Sequence, residues 1–510
     1  MKYSVKHYPH IKEKVDKMSV EELLNAVICP DVAADSLPER TPKSLFFYTT
    51  TAEKAKEASE KLNKNNPDPS LIVSDMEYGA ANVIIGATAF PSMRAAAESG
   101  DVKLAYDMGV VAAKEAINAG YHWTFGPCVD ILGNKYSPAV AYRTAGDDPE
   151  TVISYCGAYM EGLQDNGLIA TLKHFPGDGY CIEDQHVTVA ENPLSKEEWD
   201  KTFGRVYSEL IERGAMAVMP GHISLPSYDT PDENGLYPPA TVSENLLTGL
   251  LRGQLGFEGI IVSDAVNMGG FCGYMNHYDA CAAFLEAGGD CLLFQHETED
   301  FVSEMKKRIS NGRLNIETLK NRAYRMCCFA NEYFENHPVG AKVELNPDFA
   351  ENTAREISVR AVKKVRDRAN ILPFGVSPEM KIAHVIINNV WGDISVTDEM
   401  TEKLSGFAKV DVMRDPGPGA LLNIAKNGGY DLIVCSVIES PSWGINTSKL
   451  SGPAARNMMN GWMRYGIPTV FVAYNSPSFG ETYTSSVDTL IETYGVTKYT
   501  VDAVIRLLFK

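Results

Sequence analysis

Several features are missing from these 510 residues, and each absence excludes a class of function. No run approaches the ~18 apolar residues that a membrane-spanning helix needs. The opening stretch, "MKYSVKHYPHIKEKVDKMSVEELL", has no apolar core of the kind a secretory signal carries, so a soluble cytoplasmic protein is expected. Positive charge is in deficit: 47 Lys and Arg stand against 66 Asp and Glu, a net charge of −19. With no basic stripe to meet phosphates, a nucleic-acid partner is excluded. The ten cysteines never fall at C-x-x-C or zinc-ligand spacing and sit mostly in apolar segments, which reads as buried free thiols in a reducing compartment. Internal repeats and low-complexity tracts are absent as well.

What is present is a long alternation. Ser19 and Glu22 form a capping-box pattern that opens a helix over residues 19–28. Strand-like apolar runs then follow at 44–50, 70–79, 122–131, 167–175, 215–223, 259–268 and 290–296. Between them lie amphipathic stretches such as "DVKLAYDMGVVAAKEAINAG". Such alternation predicts parallel β/α architecture. The strand runs end in polar residues: Asp75 and Glu77, Asp130, Lys173 and His174, His222, Asp264. In a barrel all strand C-termini converge on one face, whereas a doubly wound sheet collects its functional groups at a switch point. Polar ends on so many strands favour a (β/α)8, TIM-like barrel over residues 1–335. A linker with a helix is expected over 336–372. A smaller α/β layered (sandwich) domain over 373–510 should carry strands at 381–388, 409–414, 430–438, 468–475 and 488–495.

The densest chemistry is in "TLKHFPGDGYCIEDQHV" (171–187). A Pro-Gly turn leaves the strand that bears Lys173 and His174. Asp184 and His186, two residues apart, suit an extended loop in which the carboxylate orients the imidazole for proton transfer. In "GIIVSDAVNMGG", Asp264 ends a buried strand at the barrel mouth, where it acts as a nucleophile or merely caps the next helix. His222 in "MPGHIS" reads equally as a site residue or a hydrogen-bonded structural histidine. "DPGPGALL" (415–422) lacks the Lys-Ser/Thr of a phosphate cradle and reads as a loop.

Together these segments resemble glycoside hydrolase family 3 across residues 70–330, with weaker similarity at "AREISVRAVKKVRDRANILPFG". "SDMEYG" resembles the Asp-x-Glu-Gly-Gly strand end, and "FGPCVDI…AYRTAGDDPE" the Asp that precedes an Arg-Ser-Phe-Gly segment. "KHFPGDG" resembles Lys-His-Phe-Pro-Gly-His-Gly, and "LRGQLGFEGIIVSDAVNM" the nucleophile strand. "EDQH" is similar to the Asp-x-His dyad of the β-N-acetylglucosaminidase branch. The resemblance implies Asp264 as nucleophile, His186 as acid/base and Asp184 as its partner. It also implies Asp75, Arg143, Lys173 and His174 as holders of sugar hydroxyls. The expected activity is exo-acting, retaining hydrolysis of terminal β-linked N-acetylhexosamine from a small carbohydrate substrate. No cofactor, metal or membrane partner is expected. Alternatives are phosphorolysis of the same glycosides, a β-glucosidase-like enzyme using Glu439 or Glu481 of the second domain, and a non-catalytic sugar-binding protein. Tyr78 where the motif has glycine, Asp178 where it commonly has histidine, and "RTAG" are departures near the substrate. Asp178 and Glu183 have no role in this reading.

Overall fold

Short apolar runs with polar ends become short parallel strands. The computed structural model describes residues 2–389, 394–439, 444, 449–475 and 478–509. The capping box at Ser19 forms as the pattern predicts: the Glu22 N–H donates to the Ser19 hydroxyl, and Ser19 N–H donates to the Glu22 carboxylate at 2.7 Å. The helix it opens, Val20–Ala26, stops earlier than expected. The chain passes directly into a buried strand, Ile28–Cys29, which the sequence reading merged with the helix. Two strand residues are too few to show a period of two.

Parallel pairings then run from strand to strand. Asp31–Val32 pairs with Ser44–Phe47, which pairs with Leu71–Ser74, which pairs with Trp123–Thr124. Trp123 bridges to Ile169, and Thr171–Phe175 pairs with Ala217–Pro220, itself paired with Ile260–Ile261. Val262 bridges to Cys291, and Leu292–Leu293 returns to Ile28–Cys29. Helices such as Ala52–Asn63, Val102–Asn118, Pro149–Asp165 and His277–Ala287 connect these strands. The result is a TIM-barrel-like α/β fold with a second domain. Its strands span two to five residues, shorter than the apolar runs, because the loops that leave them are buried too.

One hydrophobic cluster fills this unit, and it includes Ala350, Ala354, Ile357 and Ala361 of the helix Pro347–Ala361. The next strand, Lys363–Asp367, lies inside the stretch expected to be a linker. It pairs antiparallel with Thr489–Glu492 at the edge of the second sheet. Its sequence, KKVRD, is polar and mostly exposed, so no apolar alternation announced it. The sheet continues in parallel through Thr469–Tyr474, Leu432–Glu439, Lys381–Asn389 and Lys409–Arg414. Alternation then sorts its side chains: Leu432, Val434 and Ile438 join one buried cluster, and Ile433, Cys435 and Val437 join another on the opposite face. Helices Ser395–Ser405 and Thr500–Leu508 cover the first face, and Pro418–Asn427 belongs to the second. "DPGPGALL", expected to be a loop, is a turn only over 415–417; residues 418–422 open that last helix, with Pro418 at its first position.

Candidate active site

Four strands and their following loops deliver polar groups to one end of the barrel-like unit. Asp75 and Glu77 follow Leu71–Ser74, and Lys173 and His174 lie within Thr171–Phe175, joined by a cis peptide bond. Arg143 closes a one-turn helix, Ala141–Arg143, and Asp264 follows Ile260–Ile261. A cleft of about 370 Å³ brings Asp75, Arg143, Lys173, His174, His186 and Asp264 together. Asp184, the remaining expected residue, stands behind His186 rather than in the cleft wall.

The charges in the floor compensate one another. Glu77 takes both ends of a fork from Arg143, at 3.0 and 2.7 Å, and Lys173 lies 2.8 Å from the same carboxylate. Lys173 also reaches Asp75 at 2.9 Å. Burial alone would raise the Glu77 carboxyl, but Arg143 and Lys173 hold it well below the ordinary range. Lys173 is likewise held in its charged form: burial opposes the charge, and Asp75 and Glu77 more than offset that. Asp75 keeps its side chain 43% exposed, the one carboxylate of this floor with free surface for a ligand. Glu77 was not among the expected site residues, although it ends the same strand run.

A second chain of contacts starts from Asp130, which is fully buried. Its carboxylate accepts from His174 Nδ1 at 2.6 Å, from the His174 N–H at 3.1 Å and from the Asp178 N–H at 2.7 Å. The other imidazole nitrogen of His174 therefore faces the cleft, 4.0 Å from Asp264 and 3.4 Å from Arg143. Cys128, Asp130 and His174 place donor atoms within 4.8 Å of one another, a grouping that sequence spacing did not show. They satisfy one another, with Cys128 Sγ donating to Asp130 at 3.1 Å. Asp178, unassigned from sequence, is buried with Oδ2 unpartnered, and burial and Asp130 push its carboxyl up to about 6. Glu183 lies outside the cleft lining.

Asp264 and the dyad complete the site. Asp264 is 9% exposed, and burial would raise its carboxyl. The imidazoles of His174, His222 and His186 and the Lys173 ammonium overcome that and leave it below the ordinary range, ionised at neutral pH. His186 Nδ1 lies 2.6 Å from Asp184 Oδ1, so the carboxylate orients an imidazole that lines the cleft. The second Asp184 oxygen accepts the Gly444 N–H of the second domain at 2.8 Å. His222 is structural in its contacts, bonded to the Thr241 hydroxyl and the Ala265 carbonyl, each at 3.1 Å. It supports the turn that holds Asp264. Glu439 ends a buried strand of the second sheet, Glu481 is 66% exposed beside Lys135, and neither lines the cleft. An ionised carboxylate and an oriented imidazole on one sugar-sized cleft can perform nucleophilic substitution with general acid/base help.

Known proteins resemble this chain over most of its length. The model of the glycosyl hydrolase family 3 N-terminal domain matches residues 13–328. A Cellulomonas fimi beta-N-acetylglucosaminidase/beta-glucosidase is 29% identical over 487 residues, 91% of this chain and 86% of that protein. A beta-hexosaminidase of Xanthomonas oryzae pv. oryzae is 31% identical over 277 residues, 52% of this chain and 78% of that protein. Among solved structures, a beta-glucoside phosphorylase superposes with a TM-score of 0.88 at 27% identity, covering 98% of this chain and 92% of that one. A Paenibacillus beta-N-acetylglucosaminidase of family 3 shares the fold, with a TM-score of 0.80 at 22% identity over 96% of both chains. With the family model spanning well over half of its length, this chain belongs to glycoside hydrolase family 3.

Proposed function

We propose that the enzyme is an exo-acting, retaining β-N-acetylglucosaminidase that works through a glycosyl-enzyme intermediate. The observation that carries this reading is the pairing of an ionised Asp264 with a dyad-backed His186 on one cleft. Asp264 attacks the anomeric carbon as His186 protonates the leaving oxygen. His186 then takes a proton from water, whose oxygen displaces the Asp264 ester and restores the carboxylate. Lys173, Asp75, Arg143 and His174 orient the sugar hydroxyls. The names of the Cellulomonas and Xanthomonas relatives support the N-acetylated donor.

The test compares aryl N-acetylglucosaminides with aryl glucosides. His186→Ala should lower kcat by about 10²–10⁴-fold on poor leaving groups, the usual range for a general acid/base, and far less on activated ones. Equal loss on both, or activity that disappears only on changing Glu439 or Glu481, overturns the dyad assignment.

Phosphorolysis is a second reading, favoured by one feature. The acid/base is an imidazole rather than a carboxylate, so no fixed negative charge at that position repels an incoming phosphate. The phosphorylase among the structural relatives supports it. Sugar 1-phosphate formed in phosphate buffer would establish this reading, and its absence would remove it.

The ring of parallel pairs supports a closed (β/α)8 catalytic unit, joined through the helix Pro347–Ala361 to the second sheet. Ten free thiols, nine of them buried, support a cytoplasmic setting, which cell fractionation tests.

A further inference from the structure

Gln185 stands between the two members of the dyad, yet it lines no part of the cleft and is completely buried. Its side-chain carbonyl accepts the backbone N–H of His222 at 2.8 Å. His222 follows the strand Ala217–Pro220, which lies between the strand that carries His174 and the one that leads to Asp264. Both neighbours are fastened at this point. The Gly221 N–H donates to the Phe175 carbonyl at 2.8 Å, and the Asp264 N–H donates to the Pro220 carbonyl at 3.1 Å. The His222 carbonyl in turn accepts the Ala190 N–H at 3.1 Å. The dyad loop therefore grips the main chain of one residue twice, through the Gln185 side chain and through Ala190. The imidazole of that same residue holds the Ala265 carbonyl, next to Asp264.

Packing leaves room for this contact and for little else. A Cβ on Gly221 would lie 2.6 Å from Gln185 Oε1, so a side chain there would displace the amide. The amide's orientation follows from the donor it meets. Its oxygen faces the His222 N–H, and Nε2 is left buried with no hydrogen-bond partner among the described residues. An unpaired buried donor is destabilising, and a methionine of similar size would fill the same space without one. What a methionine cannot supply is an acceptor for His222. The hydrogen bond, rather than the volume, is what glutamine adds here.

We propose that Gln185 is a positioning residue for proton transfer: by tying the dyad loop to His222, it fixes where His186 stands relative to Asp264. Asp184 sets how the imidazole is turned, and Gln185 sets its place over the strand ends. The assignment rests on the dyad reading above, because it requires His186 to be the acid/base.

The test is how the loss depends on the leaving group. A phenyl glycoside needs the general acid in its first step, whereas a dinitrophenyl glycoside departs without it, and kcat/KM reads that step. Gln185→Met keeps the volume and removes the acceptor. It should lower kcat/KM by about tenfold on the phenyl glycoside and by less than about twofold on the dinitrophenyl one, the scale of losing one positioning hydrogen bond. Gln185→Asn draws the acceptor back by one methylene and should show the same split, which keeps the test open if Gln185→Met fails to fold. Thermal unfolding of each variant reads packing separately. An unchanged ratio between the two substrates, with or without lower stability, overturns the proposal, and so does an equal loss on both. His186→Ala is measured in parallel, on aryl N-acetylglucosaminides or glucosides, whichever series the natural enzyme turns over faster. If His186→Ala shows the split and the Gln185 variants do not, the positioning role alone falls. If His186→Ala shows none, the dyad reading falls and this one falls with it.

Discussion

At the scale of single residues, the site works by setting charges against burial. Asp264 is buried yet ionised because three imidazoles and an ammonium surround it. A carboxyl held below its ordinary range is ionised above that lowered value and loses its charge only as pH falls through it. His174→Ala removes the neighbour that does most to lower the Asp264 carboxyl, so the acid limb of kcat/KM should move to higher pH as well as losing rate. A pH–rate profile on an activated aryl glycoside checks this. Asp178 is the opposite case. Its folded-state value of about 6 lies above the ordinary 3.8, so the folded protein holds a proton that the unfolded chain releases. Stability is therefore lost as pH rises from roughly 4 to 6 and stays reduced above that. Asp178→Asn should leave stability little changed below pH 4 and raise it by about 1–3 kcal/mol at pH 8. Urea unfolding at the two pH values decides it.

At the scale of elements, two loops close on each other around the dyad. The His186 carbonyl accepts the Gly269 N–H at 2.9 Å. A Cβ on Gly270 would lie 2.3 Å from the Gln185 carbonyl oxygen and 2.7 Å from the His222 Cβ. The glycine pair that follows Asp264 is therefore the surface on which the dyad loop rests. Gly270→Ala should push that loop away and lower kcat by about 10²-fold, the scale of loss for a misplacement near 1 Å. Stability should fall by about 1–3 kcal/mol from the overpacking. Steady-state kinetics with a poor leaving group reads the first and thermal unfolding the second. The motif containing these glycines was visible in the sequence. Their reason, contact with a backbone more than 80 positions away, was not.

At the scale of the whole molecule, the second domain is part of the site's support. Its Gly444 amide holds Asp184, and its Ser478 hydroxyl donates to the Lys135 carbonyl at 2.7 Å. Ser92 has two duties: it caps the helix Met93–Glu98 through the Ala95 N–H and binds the Tyr494 carbonyl. Ser92→Ala should cost about 1–3 kcal/mol, because it removes a cap and leaves a buried carbonyl without its donor. Chemical denaturation measures the loss.

Local and periodic features were legible along the chain. Apolar runs placed the inner strands of both sheets, the capping box opened its helix where Ser19 and Glu22 predicted, and polar strand ends named Asp75, Lys173, His174 and Asp264, four of the six expected residues that the cleft gathers. Those signals are written in neighbouring residues, and a barrel-like fold converts them into a common site because its strand ends converge. The rest came from contacts made on folding. Ile28–Cys29 and Lys363–Asp367 became strands through partners some 260 and 125 residues away, with too little length or too much polarity to show a period. Glu77 and Asp130 gained their roles, and Glu439 and Glu481 were set apart from the cleft, by distances in space that no spacing along the chain encodes. A carboxylate's chemistry depends on what surrounds it, and those surroundings are assembled by contacts far apart in sequence.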